Sequence, residues 1–98
     1  MNRDTAIAKL KENADAVRAL GATALYLYGS TARDEATADS DVDVFIEYDE
    51  GKRFSLLDLV GIQQELEERL ATKVDVSIRK GIRPEFRKFA ESDAIRIF

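Results

Sequence analysis

At 98 residues, 45% hydrophobic and 35% charged, the chain has the size and balance expected of one small soluble globular domain with a crowded charged surface. A net charge of −4 argues against a nucleic-acid substrate, and no apolar run approaches the roughly 18 residues a membrane span needs. With neither cysteine nor histidine, disulfide frameworks, thiolate nucleophiles, Ser-His-Asp triads and ordinary zinc sites are excluded, which leaves Asp, Glu, Lys or Tyr as a general base.

A cytoplasmic location is expected from the lack of cysteine and from a start, Met1 to Asp4, with no apolar segment behind it. From Asp4 to Leu20, the residues Ile7, Leu10, Ala14, Val17 and Leu20 recur at spacings of three and four. That spacing predicts one helix with an apolar stripe, capped by Asp4 and ended by Gly21. Leu25 to Tyr28 reads as a buried strand, in which Tyr26 and Tyr28 suit core packing better than stacking on a base. A short helix over 30–37 and a loop over 36–40 follow. Asp41 to Tyr48 is the second strand, with Val42, Val44 and Ile46 on one face and Asp41, Asp43 and Phe45 on the other.

Beyond a charged loop over 47–53, Ser55 and Asp58 form a capping box, and Phe54 and Leu59 are spaced as a hydrophobic staple. The helix they start buries Leu59, Ile62, Leu66 and Leu70. Gly61 within it costs about 1 kcal/mol relative to alanine, which predicts close packing there. Lys73 to Arg79 alternates as a third strand: Val74, Val76 and Ile78 point inward, Asp75 and Ser77 outward. Pro84 opens a last helix with Glu85 near its positive end and Phe86, Phe89 and Ala90 as its apolar face. Ala94 to Phe98 finishes as a short extended piece.

The chemistry concentrates between residues 24 and 48. Asp41 and Asp43, two apart on a strand, point to one face about 6.5–7 Å apart. Their charges repel by ~2–3 kcal/mol at an effective dielectric near 20. A divalent cation reverses that sign, and Mg2+ is usually held by one or two carboxylates together with substrate phosphates. Upstream, Gly29 permits a sharp turn, and Ser30 offers a hydroxyl and an N–H at a helix start, where phosphates bind. A phosphate-binding turn and an acid pair on successive strands suit a nucleoside triphosphate with its metal. Asp39, Asp41, Asp43 and Glu50 also match positions of an EF-hand loop. That loop needs glycine where Val44 stands and irregular backbone where a strand alternates, so it is rejected. Ser40 reads as a cap orienting the loop into Asp41. Arg33 either neutralises phosphate or pairs with Asp34 or Glu35, and Lys73, Arg79 and Lys80 read as solvated charges.

Gly29-Ser30-x-Ala32-Arg33 followed by Ser40-Asp41-x-Asp43 resembles the signature of the DNA polymerase β-like nucleotidyltransferases, above all their minimal antitoxin members. The resemblance covers nearly the whole chain. It implies an α+β fold: a small mixed sheet of three to four strands with helices packed on it, as one domain over 1–98. It implies Asp41, Asp43 and, in the apolar setting Val74-Asp75-Val76, Asp75 as catalytic metal ligands for two Mg2+ ions. It implies Gly29, Ser30 and Arg33 at the phosphates of ATP, whose AMP is transferred to a hydroxyl. The expected acceptor is a tyrosine of a partner HEPN toxin, because no second domain is present to grip a substrate. Neutralisation by binding alone, or transfer to a small hydroxylated molecule, are the alternatives. One departure stands out: the residue after the arginine is commonly glycine in that family, and here it is Asp34.

Overall fold

Alternation of apolar residues builds the sheet. In the computed structural model, which describes residues 1–98, β1 (Ala22–Tyr28) and β2 (Val42–Tyr48) pair antiparallel, and β2 runs parallel to β3 (Val74–Ile78). A short β4 (Ile95–Arg96) pairs antiparallel with β1, giving the order β3-β2-β1-β4. The remaining elements are α1 (Arg3–Glu12), α2 (Ala14–Ala19), α3 (Gly29–Ala32), α4 (Leu56–Leu70), a 3-10 turn (Arg79–Gly81) and α5 (Pro84–Asp93). This is the expected mixed sheet with helices against it. The parallel pair requires a crossover, and α4 supplies it.

One sheet face carries the core. Leu25, Leu27, Val44, Ile46, Val74 and Val76 meet Leu10, Val17, Ile62, Leu66 and Leu70 from α1, α2 and α4 in one cluster of 16 buried residues. Each fully buried Leu, Ile or Val contributes roughly 1.5–3 kcal/mol of transfer free energy. The capping box at α4 forms as its sequence predicts: the Ser55 N–H donates to Asp58 Oδ2 at 2.8 Å. Phe54 and Leu59 both pack on the core, and the Phe54 ring stacks on Tyr48 at 4.7 Å.

Several expectations are corrected. The first helix is not continuous, because Asn13 leaves the helical region (φ −104°, ψ 10°) and separates α1 from α2. Its side-chain amide donates to the Lys9 carbonyl at 2.8 Å, the local competition by which asparagine disfavours helix interiors. Asn2, not Asp4, caps α1, accepting from the Thr5 N–H at 2.8 Å. β1 begins at Ala22 rather than Leu25, and α3 ends at Ala32 rather than near residue 37. The close packing expected at Gly61 is absent: a Cβ there would lie 3.8 Å from Leu20 Cδ2, an ordinary contact.

The largest correction concerns α5, which lies against β1 and α3. Of its expected apolar face only Ala90 is buried; Phe86 and Phe89 are 57% and 70% exposed. Polar contacts hold this helix instead. Asp93 meets Arg33 at 2.6 Å, Glu91 meets Arg79 at 3.1 Å, and Arg87 donates to the carbonyls of Lys80 and Ile82.

Candidate active site

The second sheet face is built in rows across the strands. Strand register sets Tyr28 opposite Asp43, and Asp43 opposite Asp75. The next row is Tyr26, Phe45 and Ser77. Phe45 is 1% exposed yet lies outside the main core cluster. Tyr26 stacks on it at 4.8 Å, and the Tyr28 ring tilts against it at 5.3 Å. The two tyrosines are half-buried and lie outside the core that the sequence predicts for them; they pack on Phe45 instead and make an aromatic floor beside the acids.

Strand ends aim the acids. Asp43 is half-buried within β2, Asp41 is half-buried one residue before that strand, and Asp75 is exposed on β3. Burial first, and then the charges of Asp75 and Asp41, raise the Asp43 carboxyl above the usual carboxylate range; the Arg33 charge opposes them. Burial, with smaller contributions from Asp43 and Asp75, likewise raises the Tyr28 phenol against an opposing hydrogen bond with Ser77. None of Asp41, Asp43 or Asp75 takes part in an ion pair, although eight other ion-pair contacts join charges elsewhere in the chain. Carboxylates set beside one another with no ion-pair partner, Asp43 in register with Asp75, are chemistry that a hard divalent cation fits. As the side chains stand, no three acids form a closed ligand group.

Gly29 is held to glycine by its backbone, and the Asp43 carboxylate lies close against it. Its φ is +77°, and a Cβ there would lie 2.6 Å from Asp43 Oδ2. The turn therefore passes directly over the acid. Ser30 follows in the first turn of α3. Arg33, which ends α3, pairs with Glu35 at 3.1 Å, one of the alternatives the sequence left open, and with Asp93, which it did not foresee. Ser40 closes its loop, its Oγ accepting from the Thr37 N–H at 3.0 Å. Arg79 and Lys80 are not merely solvated: Arg79 bridges Glu47 and Glu91, and Lys80 pairs with Glu50.

The sequence profile of the nucleotidyltransferase domain family matches residues 10–97. The chain belongs to that family. Within it, residues of this chain are 48% identical over 58 positions to the Methanocaldococcus jannaschii protein named "Putative protein adenylyltransferase MJ0435", a match covering 59% of the chain and 60% of the relative's length. A solved structure described as a "putative minimal nucleotidyltransferase" superposes with a TM-score of 0.83 at 32% identity, covering 97% of this chain and 95% of that one. The fold is shared more distantly, at 13% identity and a TM-score of 0.65, with a complex described as "tri-AMPylated Shewanella oneidensis HEPN toxin in complex with MNT antitoxin", covering 90% of this chain and 68% of that one.

This nucleotidyltransferase domain also accommodates its departure at Asp34. The position takes φ 59°, the left-handed conformation for which glycine is the usual residue. Aspartate tolerates that region better than most side chains. Here Oδ1 also accepts the Arg3 N–H at 3.1 Å, tying the turn to the start of α1. Sequence reasoning missed this contact, the Asp93 partner of Arg33 and the cleft beside α5. All three depend on long-range placement that no local spacing encodes.

Proposed function

We propose that this domain transfers AMP from ATP to a hydroxyl of a partner protein, and that the partner is a HEPN-type toxin neutralised by the modification. Among the observations that support the reading, one carries it: the Gly29 turn lies directly against the Asp43 carboxylate, a Cβ there coming within 2.6 Å of Oδ2, while Asp43 lies in register with Asp75. A triphosphate crossing the turn would meet the acid pair. Asp41, Asp43 and Asp75 would hold two Mg2+ ions, which supply charge neutralisation at the attacking and leaving oxygens. Gly29 and Ser30 would seat the β- and γ-phosphates, and Arg33 would turn from its carboxylate partners toward them. The acceptor oxygen forms a bond to the α-phosphorus as the bond to the pyrophosphate oxygen breaks. The acceptor's proton passes to the Asp75 carboxylate, and pyrophosphate leaves. Positioning and charge stabilisation supply the rate.

Two relatives support this choice of acceptor. An adenylyltransferase name attaches to the M. jannaschii protein, and the distant S. oneidensis complex pairs an MNT antitoxin with a modified toxin. Incubating the protein with α-labelled ATP, Mg2+ and the partner should label the partner. The Asp41→Asn/Asp43→Asn double variant should lose that labelling by two orders of magnitude or more, and equal labelling would defeat the mechanism. Neutralisation by binding alone is favoured by one observation, the engagement of Arg33 with Glu35 and Asp93. Neutralisation that survives loss of both acids would select it.

A further inference from the structure

The apolar stripe of α5 lacks a covering element, yet it is not placed at random. Phe86 and Phe89, three apart on one helix face, line a cleft of about 240 Å³ with Ile82 and Ala90. Gly29 and Arg33, the residues assigned to the phosphates, line the same cleft. We propose that this cleft is the nucleobase subsite: the heterocycle of the nucleotide stacks on Phe86 and Phe89 while its triphosphate crosses Gly29 toward Asp43. The inference rests on the transferase reading above and adds where the base lies.

Three features favour a base over other occupants. The volume lies below the roughly 300–1,000 Å³ of drug-sized pockets, which suits one flat ring system. Two phenyl rings offer π faces, on which every base stacks. Continuity with Gly29 ties the cleft to the same ligand. The rest of the surface offers no rival. Leu56 and Leu57 on α4 are 75% and 82% exposed, but they bring no ring and no link to the acids. A larger cleft of about 570 Å³ lies beside Glu47, Glu50, Arg79 and Lys80. Four of its charges pair with one another, and none of the residues assigned to the phosphates lines it.

The test compares ATP with inorganic tripolyphosphate by titration calorimetry in Mg2+ buffer. Both phenylalanines are exposed, so the Phe86→Ala/Phe89→Ala variant should fold. It should bind ATP about ten-fold more weakly, with tripolyphosphate affinity unchanged. A Leu56→Ala/Leu57→Ala control should match the wild type. The chain has no tryptophan, so Phe89→Trp supplies a single reporter whose fluorescence ATP should quench and tripolyphosphate should not. Unchanged ATP affinity in the double variant would overturn the subsite, as would equal loss of both ligands. If that variant instead lost only the protein partner, the cleft would be a docking surface and the base inference would fall. A wild type that binds both ligands equally would sink the subsite and leave the transferase reading intact. One that binds neither would sink both.

Discussion

The two faces of the sheet do opposite things with the same three strands, β1, β2 and β3. On one, Leu27, Val44 and Val76 are buried against α1, α2 and α4 and hold the fold together. On the other, one residue along each strand, Tyr28, Asp43 and Asp75 line up across the sheet. That row is poor for stability, since it sets carboxylates near each other without a cation. Period-two geometry allows both: the register that packs one face necessarily aligns the acids on the other. The comparison teaches that stability and function separate by face, and substitutions can test how cleanly.

The largest effect belongs to the packed face. Leu66 is fully buried beneath the sheet, and Leu66→Ala should lower unfolding free energy by about 2–5 kcal/mol in urea titrations. On a domain this small, that removes a large part of the total. A loss below 1 kcal/mol would mean that α4 does not anchor the sheet as described. Next comes Gly29, where the faces meet. Gly29→Ala combines a positive φ with the 2.6 Å approach to Asp43, and should cost about 1–3 kcal/mol while abolishing the proposed AMP transfer. Pairing it with Asp43→Ala should recover part of the stability and none of the activity. Full additivity would show that the close approach is not the cause.

On the exposed face the sign reverses. Asp43→Asn removes one charge from the acid row and should raise stability near neutral pH by about 1 kcal/mol or less, after discounting for solvent screening. The pH dependence follows from the raised carboxyl. The folded chain holds the Asp43 proton more tightly than the unfolded chain, so this contribution to stability is fully present below the ordinary aspartate value near pH 4. It is lost as pH rises through the elevated folded value. The stability difference between variant and wild type should therefore grow with pH across that window and then level off, as read from urea midpoints. Mg2+ should raise the wild-type midpoint above the window and leave it unchanged below. A difference that shrinks with rising pH would contradict the placement of Asp43 as a half-buried carboxyl beside like charges.

How much of this was legible beforehand follows the range of the forces involved. Strand alternation and the Ser55–Asp58 box are local, and each appears where the sequence puts it, whereas Asp41, expected on the second strand with Asp43, lies one residue before it. The register of Asp75 against Asp43 required a parallel pairing that no local pattern states. α5 shows the limit most plainly. Its periodicity is the same kind of signal as that of α4, but a stripe reveals only that a face is apolar, not that anything covers it. Asn13 shows the converse, a single amide outweighing a stripe that continues through both helices.

The smallest effect tests the packed face from within. Gly61 sits inside α4, has no positive φ, and has room for a Cβ at 3.8 Å from Leu20. Glycine in a helix interior gives up more backbone entropy on folding than alanine does. Gly61→Ala should therefore stabilise the domain by about 0.5–1 kcal/mol, with the proposed AMP transfer unchanged because the added methyl sits on the face away from the acids. A thermal melt that shifts downward would mean that α4 and α2 approach more closely than 3.8 Å allows, and that the glycine marks a tight contact after all.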